Sequence, residues 1–238
     1  MEIFAKTHAG MVRDNNEDFF VYDDNLNFFV VADGIGGHNA GEVASELACT
    51  IILENFRKHY DDYCDKLPLL LTKSIEKANK AVFMKSLESE EFEGMGTTIT
   101  LGVLSNGVVY AAHVGDSRMY IIFDGKIKQI TKDHTLVNEL LINGSISLEE
   151  ARVHPQKNII TKAVGSSEKL VVDIFEIEVE ESNVLLLCSD GLTDTTTDGE
   201  ILDIINASSN YGEACDNLVN NANDSGGIDN ITVMLVSI

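Results

Sequence analysis

Apolar positions along the 238-residue chain follow two different periods. The runs 28–32 (FFVVA) and 184–188 (VLLLC) are short, unbroken and bounded by turn-prone residues, so they predict strands buried on both faces. A strand piece at 21–22 precedes the first run across Asp23-Asp24-Asn25. Over 41–60, Val43, Leu47, Ile51 and Phe56 recur at helical spacing, and over 67–87 Leu70, Ile75, Ala78 and Val82 do the same, predicting two helices. The period then shortens. Segments 97–104, 108–113, 119–123 and 126–130 predict a meander with turns at Asn106-Gly107 and Asp124-Gly125. A helix is expected over 135–142, and Ser147 with Glu150 three residues later predicts a capping box opening another. Strands at 171–179 and 184–188, helices near 201–206 and 211–222, and a strand over 231–236 complete the chain. Strands and helices come in blocks, which predicts antiparallel sheet packed with helices, an α+β architecture.

Composition narrows this. Proline occurs only at 68 and 155, and there is no Ser/Gly-rich linker or repeat, so one domain over 1–238 is expected. The longest apolar runs are too short to cross a bilayer, and MEIFAKTHAG lacks the basic stretch and apolar core of a secretory signal. A soluble cytoplasmic protein is the expectation. Asp and Glu number 39 against 17 Lys and Arg, a net charge of −22. That field repels nucleic acid and anionic membranes, which excludes both as expected partners. Cys49, Cys64, Cys188 and Cys215 form no CxxC pair and no zinc spacing, so they are expected to be reduced. None has an Arg six positions later, so a thiolate loop cradling an oxyanion is missing.

Some carboxylates stand where a solvated surface would not put them. Asp33 follows the run 28–32 and precedes Gly34; Asp190 follows 184–189 and precedes Gly191; Asp229 stands just before the strand beginning at Ile231. An ionised acid at the mouth of a buried strand must neutralise, pair or bind a cation. With so few basic residues, cations are the readier partner, and all-oxygen ligands select Mg²⁺ or Mn²⁺ over zinc. Any single Asp-Gly is equally well a turn, and Asp116 in HVGDSR alone would be a hairpin turn. Glu17 and Asp18, in RDNNED, add acid beside the early strand. Arg13 reads either as a surface ion pair of little value or as a planar fork for a phosphate held against bound metals.

Taken in order, RDNNEDFF (13–20), VVADGIGGHNAGEVAS (30–45), GTTIT (96–100), HVGDSRMYI (113–121), the stretch 130–165, LLLCSDGLTD (185–194) and GGIDNITVMLV (226–236) closely resemble the metal-dependent PP2C (PPM) family of protein serine/threonine phosphatases, in its compact bacterial form. The resemblance implies a four-layer α-β-β-α sandwich, two antiparallel sheets flanked by helix pairs, with metals at one end. It implies that Asp33 bridges two Mn²⁺ or Mg²⁺ ions, with the Gly34 carbonyl as an extra ligand and Asp190 and Asp229 as further direct ligands. Glu17 and Asp18 correspond to acids acting through metal-bound waters. Asp116, with Asp190, corresponds to the holder of a third, weaker ion. Arg13 corresponds to the phosphate-binding Arg, making Arg13 and Asp33 the expected catalytic residues, and 134–160 to a flap beside the site.

The implied reaction is hydrolysis of phosphoserine and phosphothreonine in proteins by a water or hydroxide bridging the metals. No covalent phosphoenzyme is needed, which suits a chain without a Cys-x₅-Arg loop or a DxDx[TV] run. A serine/threonine kinase of the same cell is the implied antagonist, and a monomer is the default expectation. One departure stands out. Some family members carry a His directly after the Asp-Gly as general acid; here that place is Ile35 and the nearest imidazole is His38, leaving His38 or metal-bound water to protonate the leaving group. The alternative function is a catalytically inactive PP2C-like binding module, but such domains usually lose metal acids, and Asp33, Asp190, Asp229 and Arg13 are all present.

Overall fold

The computed structural model describes residues 1–36, 40–152 and 154–238. One sheet takes, in spatial order, β1 (Glu2–His8), β11 (Ile231–Ser237), β10 (Val184–Cys188), β7 (Arg118–Phe123) and β8 (Lys126–Gln129). The other takes β2 (Asp18–Asp23), β3 (Phe28–Ile35), β5 (Ile99–Ser105), β6 (Val108–Val114) and β9 (Asp173–Glu178), with β4 (Gly96–Thr97) paired to the end of β3. Every pairing between these strands is antiparallel. Helices α1 (Ala40–Tyr63) and α2 (Leu67–Ser86) cover the second sheet, while α6 (Asp198–Ala207) and α7 (Tyr211–Asp224) cover the first. The short α3 (Leu136–Ile142) and α4 (Leu148–Arg152) lie within 134–160, and α5 (Asp190–Thr193) follows β10 directly. This is the expected four-layer sandwich.

Three apolar layers explain why the strongest strands read as unbroken hydrophobic runs. Successive side chains of a strand point to opposite faces, so a strand inside a four-layer sandwich must be apolar on both. Phe29 and Val31 meet Leu185, Leu187, Met119 and Met234 between the sheets. Phe28, Val30 and Ala32 face Ile52, Phe56, Leu71 and Ile75 of the covering helices. On the far side, Leu186, Cys188, Val233 and Leu235 pack on Ile201, Leu218 and Val219.

Helix ends follow local chemistry. Thr135 caps α3 by accepting from the Asn138 amide (3.2 Å). The expected box at α4 is present: the Ser147 amide donates to Glu150 Oε2 (2.7 Å) and the Glu150 amide to Ser147 Oγ (3.3 Å). Thr197 and Glu200 form a second box at α6. The four cysteines are free, Cys64 exposed and the others buried. Among the described residues no helix is long and apolar enough to cross a membrane.

Three differences from the sequence reading bear on the site. The strand expected over 97–104 is broken at Thr98, because both Thr98 backbone and hydroxyl are committed to Asp33. Strand β3 runs on to Ile35, so Asp33 and Gly34 lie inside its last turns of pleat instead of beyond it. Strand β1 has no counterpart in the sequence reading; it is a half-exposed edge strand that pairs, among the described residues, with β11, more than 220 residues away in its register (Glu2 opposite Ser237).

Candidate active site

The sheet ends gather the acids. Asp18 opens β2 directly opposite Asp33 in the β2–β3 register. Asp116 sits in the turn between β6 and β7, Asp190 opens α5 just after β10, and Asp229 stands just before β11. Each is pinned by backbone. The Asp33 amide donates to Thr98 Oγ1 (2.9 Å), while the Asp33 carbonyl accepts from the Thr98 amide (2.8 Å) and Thr97 Oγ1 (2.9 Å). Thr98 Oγ1 also bonds Ser117 Oγ (2.7 Å), which fixes the turn carrying Asp116. Ser189 Oγ donates to Asp18 Oδ2 (2.7 Å) and accepts from the Thr232 amide (2.9 Å), tying both sheets together behind the cluster. Asn230 knits the rest: its Oδ1 accepts from the Glu17 amide (2.8 Å) and its Nδ2 donates to the Ala9 and Asn15 carbonyls.

Glycine is required where α1 meets the site. A Cβ on Gly34 would run into the Gly41 carbonyl, and one on Gly41 would run into the Glu17 carboxylate. Bare backbone at both positions lets the first turn of α1 close on β3 and puts the Glu17 carboxylate at that helix's N-terminus, where the helix dipole favours negative charge.

The electrostatics are those of crowded acids. Asp18 and Asp116 are buried, while Asp33 and Asp190 keep part of their surface open to the mouth. Burial pushes the Asp18 carboxyl up to about 7 against the hydrogen bonds from Ser189 and Thr232, with the Asp190 and Asp229 charges adding to the rise. Burial, then the Asp229 and Asp194 charges, push Asp190 up to about 6. Asp33 lies well above the usual carboxylate range, first through burial and then through Asp18, Asp190, Asp116 and Asp229. Asp116 does so through burial and then Asp190 and Asp133. Glu17 is raised by burial against the opposing Arg13 charge. One oxygen each of Asp18, Asp116 and Asp190 is buried without a hydrogen-bond partner. Among the described residues no three of these side chains close on one point as a finished ligand set. The donor chemistry nevertheless fits hard divalent cations: all-oxygen, anionic, and holding orphaned lone pairs that protein groups leave unused.

The Arg13 guanidinium lies on Asp229 Oδ2 at 2.8 Å, 53% exposed, so the ion-pair geometry is what the structure shows, with the fork open to solvent on its other side. The segment 134–160 is clamped at its base. His134 exchanges two bonds with Gly115, one residue before Asp116 (its amide to the Gly115 carbonyl, 2.7 Å, and the Gly115 amide to its Nδ1, 3.0 Å). Its ring stacks on His113 at 5.0 Å. At its far end, Lys157 Nζ meets Asp194 Oδ2 (3.1 Å), whose amide donates to the Asp190 carbonyl (2.7 Å). His38 lies outside the described residues; Ile35 is half-buried.

Sequence reasoning missed Thr98, Ser189, Asn230 and Asp194. All four lie inside the motifs GTTIT, LLLCSDGLTD and GGIDNITVMLV, but nothing beside them in sequence assigns them a bracing role. The Thr195-Thr196-Thr197 stretch also acquires a role. Thr197 caps α6, and Thr196 Oγ1 accepts from Asn221 Nδ2 (3.1 Å), so the threonines join α5, α6 and α7.

The family model described as protein phosphatase 2C matches residues 6–226. The serine/threonine phosphatase Stp of Listeria welshimeri is 39% identical over 235 residues, covering 97% of this chain and 93% of its own. Among solved structures, the S. agalactiae serine/threonine phosphatase superposes with a TM-score of 0.94 at 35% identity, covering 100% of this chain and 99% of its own. The catalytic domain of serine/threonine protein phosphatase PstP in complex with two manganese ions gives a TM-score of 0.83 at 33% identity, covering 98% and 96%.

Proposed function

The chain belongs to the protein phosphatase 2C family, and from that premise we propose which of its residues carry the chemistry. It is a metal-dependent serine/threonine phosphatase. We assign Asp33, Asp190 and Asp229, with the Gly34 carbonyl, to two divalent cations, Mn²⁺ or Mg²⁺, and Asp116 with Asp190 to a third, weaker one. The observation that supports this is the orphaned, buried oxygen on each of Asp18, Asp116 and Asp190, in a cluster where burial first, and then mutual charge, drives the carboxyls of Asp18, Asp33, Asp116 and Asp190 upward.

When bound, the cations supply a water acidic enough to attack phosphorus at neutral pH and offset charge on the phosphoryl oxygens. The chain does the remainder. Thr97 and Thr98 hold the Asp33 backbone, and Ser189 holds Asp18, so the acids keep their places as the charge around them changes. Arg13 trades its bond to Asp229 for the incoming phosphate, which its exposed fork can meet with two parallel hydrogen bonds. Ile35 offers no dissociable proton, so the leaving serine or threonine oxygen takes its proton either from water or from His38. The substrates are phosphoserine and phosphothreonine segments of proteins, the antagonist is a serine/threonine kinase of the same cell, and the working unit is a cytoplasmic monomer.

Phosphate release from a phosphothreonine peptide tests the reading. Turnover with Mn²⁺ or Mg²⁺ and none with EDTA is expected; no turnover with either metal in a folded sample would replace it with the inactive binding module. Arg13→Ala is expected to raise KM for the peptide by about tenfold with a smaller change in kcat, because a charge-assisted pair to the ground-state phosphate is lost. An unchanged KM would return Arg13 to a surface ion pair with Asp229.

A further inference from the structure

The mouth of the site carries an apolar ledge that the chemistry around Asp33 does not use. Met11 and Val12, directly before Arg13, are 68% and 66% exposed, and Ile228, directly before Asp229, is 54% exposed. Two contacts bring these segments together. The Met11 amide donates to the Gly227 carbonyl at 2.7 Å, and Arg13 bonds Asp229 at 2.8 Å. Gly227, at φ 52°, lies so close that a Cβ there would stand 2.7 Å from Met11 Cγ. The bare backbone at 227 therefore seats the Met11 side chain against the 226–229 turn.

Aliphatic side chains exposed singly are ordinary, but when gathered together beside a site they mark a contact surface. The surroundings sharpen the point: the chain carries a net charge of −22, yet the residues leading into Arg13 and Asp229 on both segments are uncharged and apolar.

We infer that Met11, Val12 and Ile228 form a subsite for an apolar side chain next to the phosphoserine or phosphothreonine of the substrate. This rests on the reading of Arg13 as the partner of the substrate phosphate. Consecutive Cα atoms are about 3.8 Å apart, in the substrate as in the enzyme. A phosphorylated residue engaged by Arg13 thus lays its chain neighbours within the few ångströms by which Val12 and Met11 precede Arg13, and Ile228 precedes Asp229. Charge points the same way. An acidic neighbour would meet the field of Asp14, Glu17 and Asp229, whereas an aliphatic one gains by covering the ledge. Methionine at the ledge's edge is flexible and polarisable, suited to side chains of more than one shape.

The test compares two phosphothreonine peptides, identical except for Leu or Ser beside the phosphothreonine, with p-nitrophenyl phosphate as a substrate that has no flanking residues. The wild-type enzyme is expected to favour the Leu peptide by about five- to tenfold in kcat/KM. In the triple variant Met11→Gln, Val12→Thr, Ile228→Thr, that ratio is expected to fall towards one. Equal kcat/KM for the two peptides with the wild-type enzyme overturns the subsite while leaving the phosphatase reading intact. Failure of the wild-type enzyme to turn over either peptide or p-nitrophenyl phosphate overturns that reading, and the subsite with it. A wild-type dimer that becomes monomeric in the triple variant, with the peptide ratio unchanged, gives the ledge to a second copy of the chain and also overturns the proposal. The wild-type comparison needs no variant, so a misfolded triple variant cannot shield the inference.

Discussion

Asp190→Asn is expected to lower Mn²⁺-dependent phosphate release by about 10³-fold or more, while the metal-free protein melts at a higher temperature than wild type. The two effects come from one property. Asp190 keeps one oxygen buried with no partner, and burial together with the Asp229 and Asp194 charges pushes its carboxyl up to about 6. At neutral pH an ionised Asp190 is therefore a net electrostatic cost to the fold unless a cation offsets it. The amide keeps the shape and removes the charge, so the fold loses a repulsion while the proposed metal sites lose a ligand shared between them. Loss of a shared ligand removes both the attacking water's activation and its placement. Phosphopeptide kinetics and thermal melts in EDTA read the two halves separately. Near-normal turnover in a folded Asp190→Asn protein would sink the assignment of Asp190, and a lowered metal-free melting temperature would show that its carboxylate is paired after all.

The second large effect is a stability that falls as pH rises when metal is withheld. The Asp18 carboxyl lies at about 7 against an ordinary value of 3.8, so between about pH 4 and pH 7 the folded state holds a proton that the unfolded chain has released. Stability linked to that proton is fully present below about pH 4 and is lost as pH rises through 7. A shift of that size corresponds to on the order of 4 kcal/mol, or about 10 °C of melting temperature for a chain this long. In EDTA, the melting temperature is expected to drop by about 5 °C from pH 5 to pH 7.5, because only about 2.5 kcal/mol of that linkage falls inside this window. Millimolar Mn²⁺ should abolish or reverse the slope, because cation binding needs the ionised carboxylates and stabilises by mass action. Asp23 has the opposite sign, since Arg57 outweighs the burial of its carboxyl, but its slope lies below pH 4 and outside the window. Asp18→Asn should remove part of the slope and leave the part carried by Asp33, Asp116 and Asp190, whose carboxyls are raised as well. A flat profile in EDTA would mean that Asp18 is ionised and satisfied without a cation.

The elements legible in the sequence are those whose burial is decided locally. The continuous runs of β3 and β10, the helical spacing of α1 and α2, and the capping box at α4 are written over four to twenty consecutive residues. Strand β1 was not legible, because an edge strand is half solvated and needs no unbroken apolar face. The break at Thr98 was not legible either. Its cause, the pair of bonds to Asp33, is 65 residues away.

The same division runs through the site. The chain alone singles out Asp33, Asp190 and Asp229, because an acid ending an apolar strand is costly wherever the strand is placed, and that cost can be read from neighbours in sequence. It also sets the charge balance that makes cations the readier partner. Only the tertiary structure decides that Asp18 faces Asp33, that Asp116 joins them through Ser117 and Thr98, that Arg13 rests on Asp229, and that Ser189 and Asn230 brace the cluster. Those facts depend on strand register and on contacts between residues far apart in the chain, 216 positions in the case of Arg13 and Asp229. Register is set by the packing of whole sheets and by turn geometry, so nothing in the residues beside any one of these groups could have placed it.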